Sequence, residues 1–134
     1  MNNKLPLSGV RVLLVDDEED SLTITRLMLE LYGAEVVTAP AAAEGLEKVQ
    51  THAPDVIVSD ISMPQMDGYQ FIRAVRNLPV HKGKNIPALA LSAFDRPRDR
   101  ASALDAGFLS YLSKPVLLQE LIIEIMTIIN SEPP

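Results

Sequence analysis

The chain has 134 residues, a formal net charge of -6, a pI of about 4.8 and 47% hydrophobic content. That is one domain's worth of chain with enough apolar material for a single core. Its acidity argues against a nucleic-acid surface built on phosphate neutralisation by Lys and Arg. It has no cysteine, which excludes disulfide and thiolate chemistry and fits a cytoplasmic location.

In chain order, residues 1–9 lack the apolar core of a signal peptide and read as an N-terminal arm or linker. Val10–Val15 is a first β-rich run. Glu18–Tyr32 then carries Leu22, Leu27, Leu29 and Leu31 and predicts a helix that closes at Gly33. Glu35–Ala39 is a second strand, and Ala41–His52 is a helix with Ala42, Leu46 and Val49 on one face. Val56–Ser59 is a third strand. Asp67–Asn77 follows as a helix with Phe71, Ile72 and Val75 inward and Asp67 as its cap. Leu78–Asn85, "LPVHKGKN", reads as an exposed loop. Ala88–Leu91 is a fourth strand, and Arg96–Ala106 a helix that Asp95 is placed to cap and Gly107 to close. Tyr111–Leu112 is a fifth strand, Leu117–Asn130 a last helix, and residues 131–134 a tail. The longest apolar stretch, Val116–Ile129, is too short to span a bilayer and carries Glu120 and Glu124, so no membrane insertion is expected.

Strand followed by helix, five times, predicts an α/β fold with a parallel sheet covered on both faces. The runs "VLLV" and "VIV" are apolar at every position, as doubly covered strands require. Such a sheet binds ligands beyond the carboxyl ends of its strands. At those ends stand Asp16 and Asp17, Asp60, Ser92, and the triplet Ser113, Lys114 and Pro115. Close carboxylates repel unless protonated or neutralised. A hard divalent cation resolves this, and Mg²⁺ is the expected one. Lys114 offers a point charge suited to a phosphate, and Ser92 one hydroxyl donor. These are the parts for phosphoryl transfer onto a carboxylate.

The segments "VLLVDDEED", "DVIVSDISMPQMDGYQFI", "ALALSAF" and "YLSKP" occur in this order across Val10–Asn130. Together they resemble the receiver domain of two-component response regulators. The resemblance implies residues 10–130 as the receiver and a flavodoxin-like (βα)5 three-layer sandwich, its five parallel strands in the order 2-1-3-4-5. It implies Asp60 as acceptor of a phosphoryl group from the phosphohistidine of a sensor histidine kinase or phosphotransfer protein. Mg²⁺ would be held by Asp17, Asp60 and the backbone carbonyl of Ser62, with Asp16 one shell further out. Lys114 would pair with Asp60 and then with the phosphate, Ser92 would hydrogen-bond the phosphate, and Tyr111 would swing inward behind it. Pro64 and Gly68 would shape the loop after Asp60, and the Lys114–Pro115 bond would be cis. The implied role is a phosphorylation-controlled switch, not a turnover enzyme. It would act as a stand-alone regulator or as the receiver module of a hybrid sensor kinase, which the leader "LPLSGVRVLLVDD" and the long loop Leu78–Asn85 also resemble. The pattern departs from the commonest one in having Ser at position 92. Ser62 and Phe94 fall where the family tunes phosphate lifetime.

Several residues have plainer readings. Asp16 or Asp17 could cap the first helix, and Tyr111 could be simple core packing. His52 and His81 fall away from the reactive rim. Arg96, Arg98 and Arg100 read as a solvated helix face, with partner docking as the alternative. Met63 and Met66 read as flexible fillers. The last helix has more apolar residues than one face can bury, from Leu117 to Ile129. This predicts that another subunit or domain buries part of the helix, with self-association as a homodimer through the face formed by the fourth helix, fifth strand and fifth helix as the favoured form. Two rival functions fit the same rim less well. A Mg²⁺-dependent phosphatase with an Asp nucleophile would want an acid where Ser62 stands. A flavin binder would want a Ser/Thr/Gly-rich loop where "DDEED" stands.

Overall fold

A computed structural model describes residues 4–93 and 96–130. Five strands alternate with five helices: β1 (Arg11–Val15), α1 (Glu19–Leu31), β2 (Glu35–Ala39), α2 (Ala42–His52), β3 (Val56–Asp60), α3 (Gly68–Arg76), β4 (Ala88–Ser92), α4 (Pro97–Ala106), β5 (Ser110–Ser113) and α5 (Leu118–Ile129). All strand pairings are parallel, and the sheet order is β2-β1-β3-β4-β5. This is the flavodoxin-like architecture expected from the sequence.

The apolar strands are buried on both faces. All five residues of β3 and of β4 are buried. Alternate side chains feed two cores, since successive residues of a strand point to opposite faces. Leu13, Val15 and Ile57 join Phe71, Ile72 and Ala103 on the α2, α3 and α4 side. Val12, Leu14 and Val58 join Leu29, Leu121 and Ile125 on the α1 and α5 side. Burying a Leu or Ile side chain is worth about 1.5–3 kcal/mol, so these two layers fix the strand register. The register sets Val15 beside both Ala39 and Ser59, Asp60 beside Leu91, and Ser92 beside Ser113. The carboxyl ends therefore finish level with one another.

Local signals explain most boundaries. Asp67 Oδ1 accepts the Gln70 N–H at 2.9 Å, while Gln70 Oε1 accepts the Asp67 N–H at 3.0 Å. This reciprocal pair opens α3 as the sequence predicts. The start of α4 differs. Arg96 occupies its N-cap position and Pro97 follows, with the Arg96 N–H donated to Asp99 at 3.2 Å. Asp95, expected as the cap, and Phe94 lie outside the described residues, as do 1–3 and the tail at 131–134. Neither Asp16 nor Asp17 caps α1, whose N-cap position belongs to Glu18.

The expected N-terminal arm is packed where it is described. Leu7 is fully buried, and its N–H donates to the Tyr32 carbonyl at 2.8 Å. Gly33 makes room for it. With φ at +96°, this glycine would carry a Cβ 2.9 Å from Ser8 Oγ and 3.0 Å from Leu5 Cβ. One apolar side chain with a hydrogen-bonded turn is enough to dock a segment whose composition reads as a linker.

Candidate functional site

The level strand ends bring together the residues expected at one rim. Asp60 is the last residue of β3 and is only 7% exposed. Its Oδ1 accepts the Ile61 N–H at 2.9 Å and lies 3.4 Å from Lys114 Nζ. Asp16 follows β1 and is likewise buried. Its Oδ1 accepts the Glu18 N–H at 3.0 Å, and its Oδ2 lies 3.7 Å from the same Lys114 Nζ. One ammonium is thus shared between two carboxylates. Asp17 is exposed, and each of Asp16, Asp17 and Asp60 offers a carboxylate oxygen within 4.8 Å of the others.

Lys114 is held by its backbone. Its N–H donates to the Ser92 carbonyl at 2.7 Å, and the following bond to Pro115 is cis. Ser92 ends β4 and is buried at the same rim. Ser62 is exposed in the loop after Asp60. Gly68 supports that loop from below. Its N–H donates to the Ile61 carbonyl at 2.8 Å, and a Cβ there would sit 2.6 Å from the Asp60 carbonyl oxygen. Only glycine lets α3 begin this close to the end of β3.

The electrostatics follow from the geometry. Burial pushes the Asp60 carboxyl above the usual carboxylate range. Lys114 opposes that shift, Asp16 adds to it, and the Ile61 N–H opposes it. Three carboxylates face one ammonium, so the pocket is net negative. Its donors are all hard oxygens, which fit Mg²⁺ and do not fit a soft metal. By contrast, charges at the opposite end of the sheet are paired, with Arg11 Nε 3.3 Å from Glu35 and the Arg11 N–H donated to Asp55 at 2.8 Å.

Two clefts flank the rim. One of about 410 Å³ runs beside Lys114 and is lined by Glu18, Ser21, Thr25, Met28 and Pro115 among others. Another of about 500 Å³ lies beyond the Asp60 loop, between Ser62, Met63 and Pro64 and the start of α4 at Arg96 and Asp99. Neither is visible in a linear reading, because each joins segments distant in sequence. His52 and His81 lie apart from this site. His52 ends α2 with its ring against Thr51, and His81 is exposed in the short 3₁₀ turn Val80–Lys82.

Tyr111, expected to swing inward, lies inward in this structure, 1% exposed. The guanidinium of Arg100, read as merely solvated, stands 5.3 Å from the centre of its ring. No local pattern signals that contact, which joins α4 to β5.

The chain belongs to the response regulator receiver domain family, whose model matches residues 12–126. It is 47% identical over 116 residues to an uncharacterised 14.6 kDa protein in the sodA1 3′ region of Leptolyngbya boryana, covering 87% of each chain. It is 39% identical to the transcriptional regulatory protein PrrA of Mycobacterium tuberculosis, over 92% of this chain and 52% of that one. The chain thus spans about half the length of that regulator. Among solved structures it is similar to the receiver domain of the sensor histidine kinase PA1611 from Pseudomonas aeruginosa, which holds a magnesium ion in its active site cleft. That match has a TM-score of 0.83 at 30% identity, covering 92% of this chain and 100% of the other. As a receiver domain of two-component signalling, the chain belongs to a class of signalling switches.

Proposed function

We propose that this receiver is the phosphoacceptor of a phosphorelay, with Asp60 taking a phosphoryl group from the phosphohistidine of a sensor histidine kinase or phosphotransfer protein. The observation that carries this reading is the Asp60 carboxylate, buried at a strand end, 3.4 Å from Lys114 and within 4.8 Å of the Asp16 and Asp17 oxygens. A carboxylate oxygen of Asp60 attacks phosphorus, the phosphorus–nitrogen bond to the donor imidazole breaks, and the imidazole keeps that electron pair and takes a proton. Asp60 works as a nucleophile only when ionised, and Lys114 favours that form against burial. Asp17, Asp60 and the Ser62 carbonyl would hold Mg²⁺ directly, with Asp16 outside them. Bound there, the ion supplies positive charge to the phosphoryl oxygens.

After transfer, Asp60 bears roughly two negative charges and new acceptor oxygens. Lys114 Nζ and the Ser92 hydroxyl are the groups at hand to meet them. Since the Lys114 N–H is bonded to the Ser92 carbonyl, the two respond as one unit. Tyr111 lies one strand over and two residues before Ser113, so the shift reaches the α4–β5–α5 face. That face is the partner-binding surface and the site of homodimer contact. The chain promotes only its own phosphorylation and dephosphorylation.

Incubation with acetyl phosphate and Mg²⁺ tests the reading by intact mass. The wild-type chain gains one phosphoryl group, Asp60→Ala gains none, and chelation of Mg²⁺ stops the reaction. Undiminished incorporation in Asp60→Ala would refute the assignment.

A further inference from the structure

Helix α4 gives the sheet little apolar cover. Its buried side chains are Ala103 and Ala106. Beneath it Tyr111 is nevertheless buried, at 1% exposure. The ring belongs to the core cluster that includes Ala90, Ala103, Ala106 and Phe108, to which α4 contributes only small buried side chains. Arg100 stands one turn before Ala103 and sets its guanidinium 5.3 Å from the ring centre, within cation–π range. Among the described residues, Arg100 forms no ion pair, whereas Arg96 at the N-cap of the helix is bound to Asp99 at 2.8 Å. The Arg100 cation is therefore committed to the ring, and its methylene stem adds apolar cover.

We infer that Arg100 is a positioning residue whose charge holds Tyr111 in its buried orientation under α4. Its value to signalling rests on the reading of Tyr111 as the inward-moving side chain, but the hold itself needs no phosphoryl transfer. A cation–π contact made by a solvent-exposed cation favours the covered state about two- to five-fold. Loss of the charge should raise the open population of Tyr111 by that factor. An uncharged side chain of similar apolar character should not restore the hold, and lysine should.

Hydroxyl-radical footprinting resolved by mass spectrometry reads the exposure of each tyrosine directly, with Tyr32 and Tyr69 as internal controls. Arg100→Leu and Arg100→Ala should raise Tyr111 modification about two- to five-fold. Arg100→Lys should stay near wild type, and Tyr32 and Tyr69 should not change. Arg100 is exposed, so all three variants should fold, which far-ultraviolet circular dichroism checks. A wild-type Tyr111 rate in Arg100→Leu would overturn the inference, as would a rate in Arg100→Lys equal to that in Arg100→Ala. Acetyl phosphate labelling of the same proteins separates the two claims. Loss of Asp60 labelling in wild type would sink the phosphoacceptor reading and leave the Tyr111 result standing.

Discussion

At Asp60 two demands oppose each other. In the proposed phosphoacceptor role the carboxylate must be ionised to attack, yet burial raises its pKa from the ordinary 3.8. A carboxyl whose folded pKa is raised binds its proton more tightly when folded. Its contribution to stability is complete below 3.8 and is lost as pH rises through the raised value. Asp60→Asn removes that ionisation cost. In chelator, its melting temperature should exceed that of wild type at neutral pH, and the difference should vanish below pH 3.8. Mg²⁺ should narrow the neutral-pH gap by binding the native wild-type protein. A difference independent of pH would show that burial of the charge is not its source. At this scale the sequence was informative for Asp16, Asp17, Asp60, Ser92 and Lys114, because each follows an apolar run that could only be a strand. It was silent on Arg100, whose partner lies on another element, and on the sharing of Lys114 between two carboxylates.

Among the elements, α5 has the clearest surplus. It buries Leu121, Ile122, Ile125 and Ile128, yet leaves Ile123 61% and Met126 38% exposed. On α4, Leu104 is 48% exposed. Solvated apolar side chains on both helices flanking the short edge strand β5 favour burial against a second copy. Sedimentation of the phosphorylated chain should therefore show a concentration-dependent dimer that Ile123→Glu weakens. A strictly monomeric profile at high concentration would count against this face. The surplus was legible as a helix with too many apolar positions. The α3 cap was legible too, because Asp67 and Gln70 signal each other at a fixed spacing. The docked Leu7 turn was not, since its burial depends on the space left at Gly33, which is distant in the sequence. Helix α4 starts at Pro97, one residue after the Arg96 that the sequence pattern suggests, because Arg96 and Asp99 supply a cap from side chains that otherwise read as surface charge.

For the whole molecule, the strand order decides where chemistry can occur. β1 lies between β2 and β3, and the chain reverses its direction of growth across the sheet at the β1–β3 boundary. Helices diverge there and leave a crevice at the carboxyl ends. Asp16 and Asp17 reach it from β1, Asp60 from β3, and Lys114 from the far edge of β5. The alternation of strand and helix was plain in the hydrophobic runs, but the order of the strands came only through family resemblance, since parallel neighbours leave no local mark. The most direct measurement is phosphotransfer from a labelled histidine kinase, followed by borohydride reduction, which converts an aspartyl phosphate to homoserine. A phosphoacceptor at Asp60 predicts homoserine at position 60 alone. Label on a serine or histidine, or reduction at any other aspartate, would contradict it.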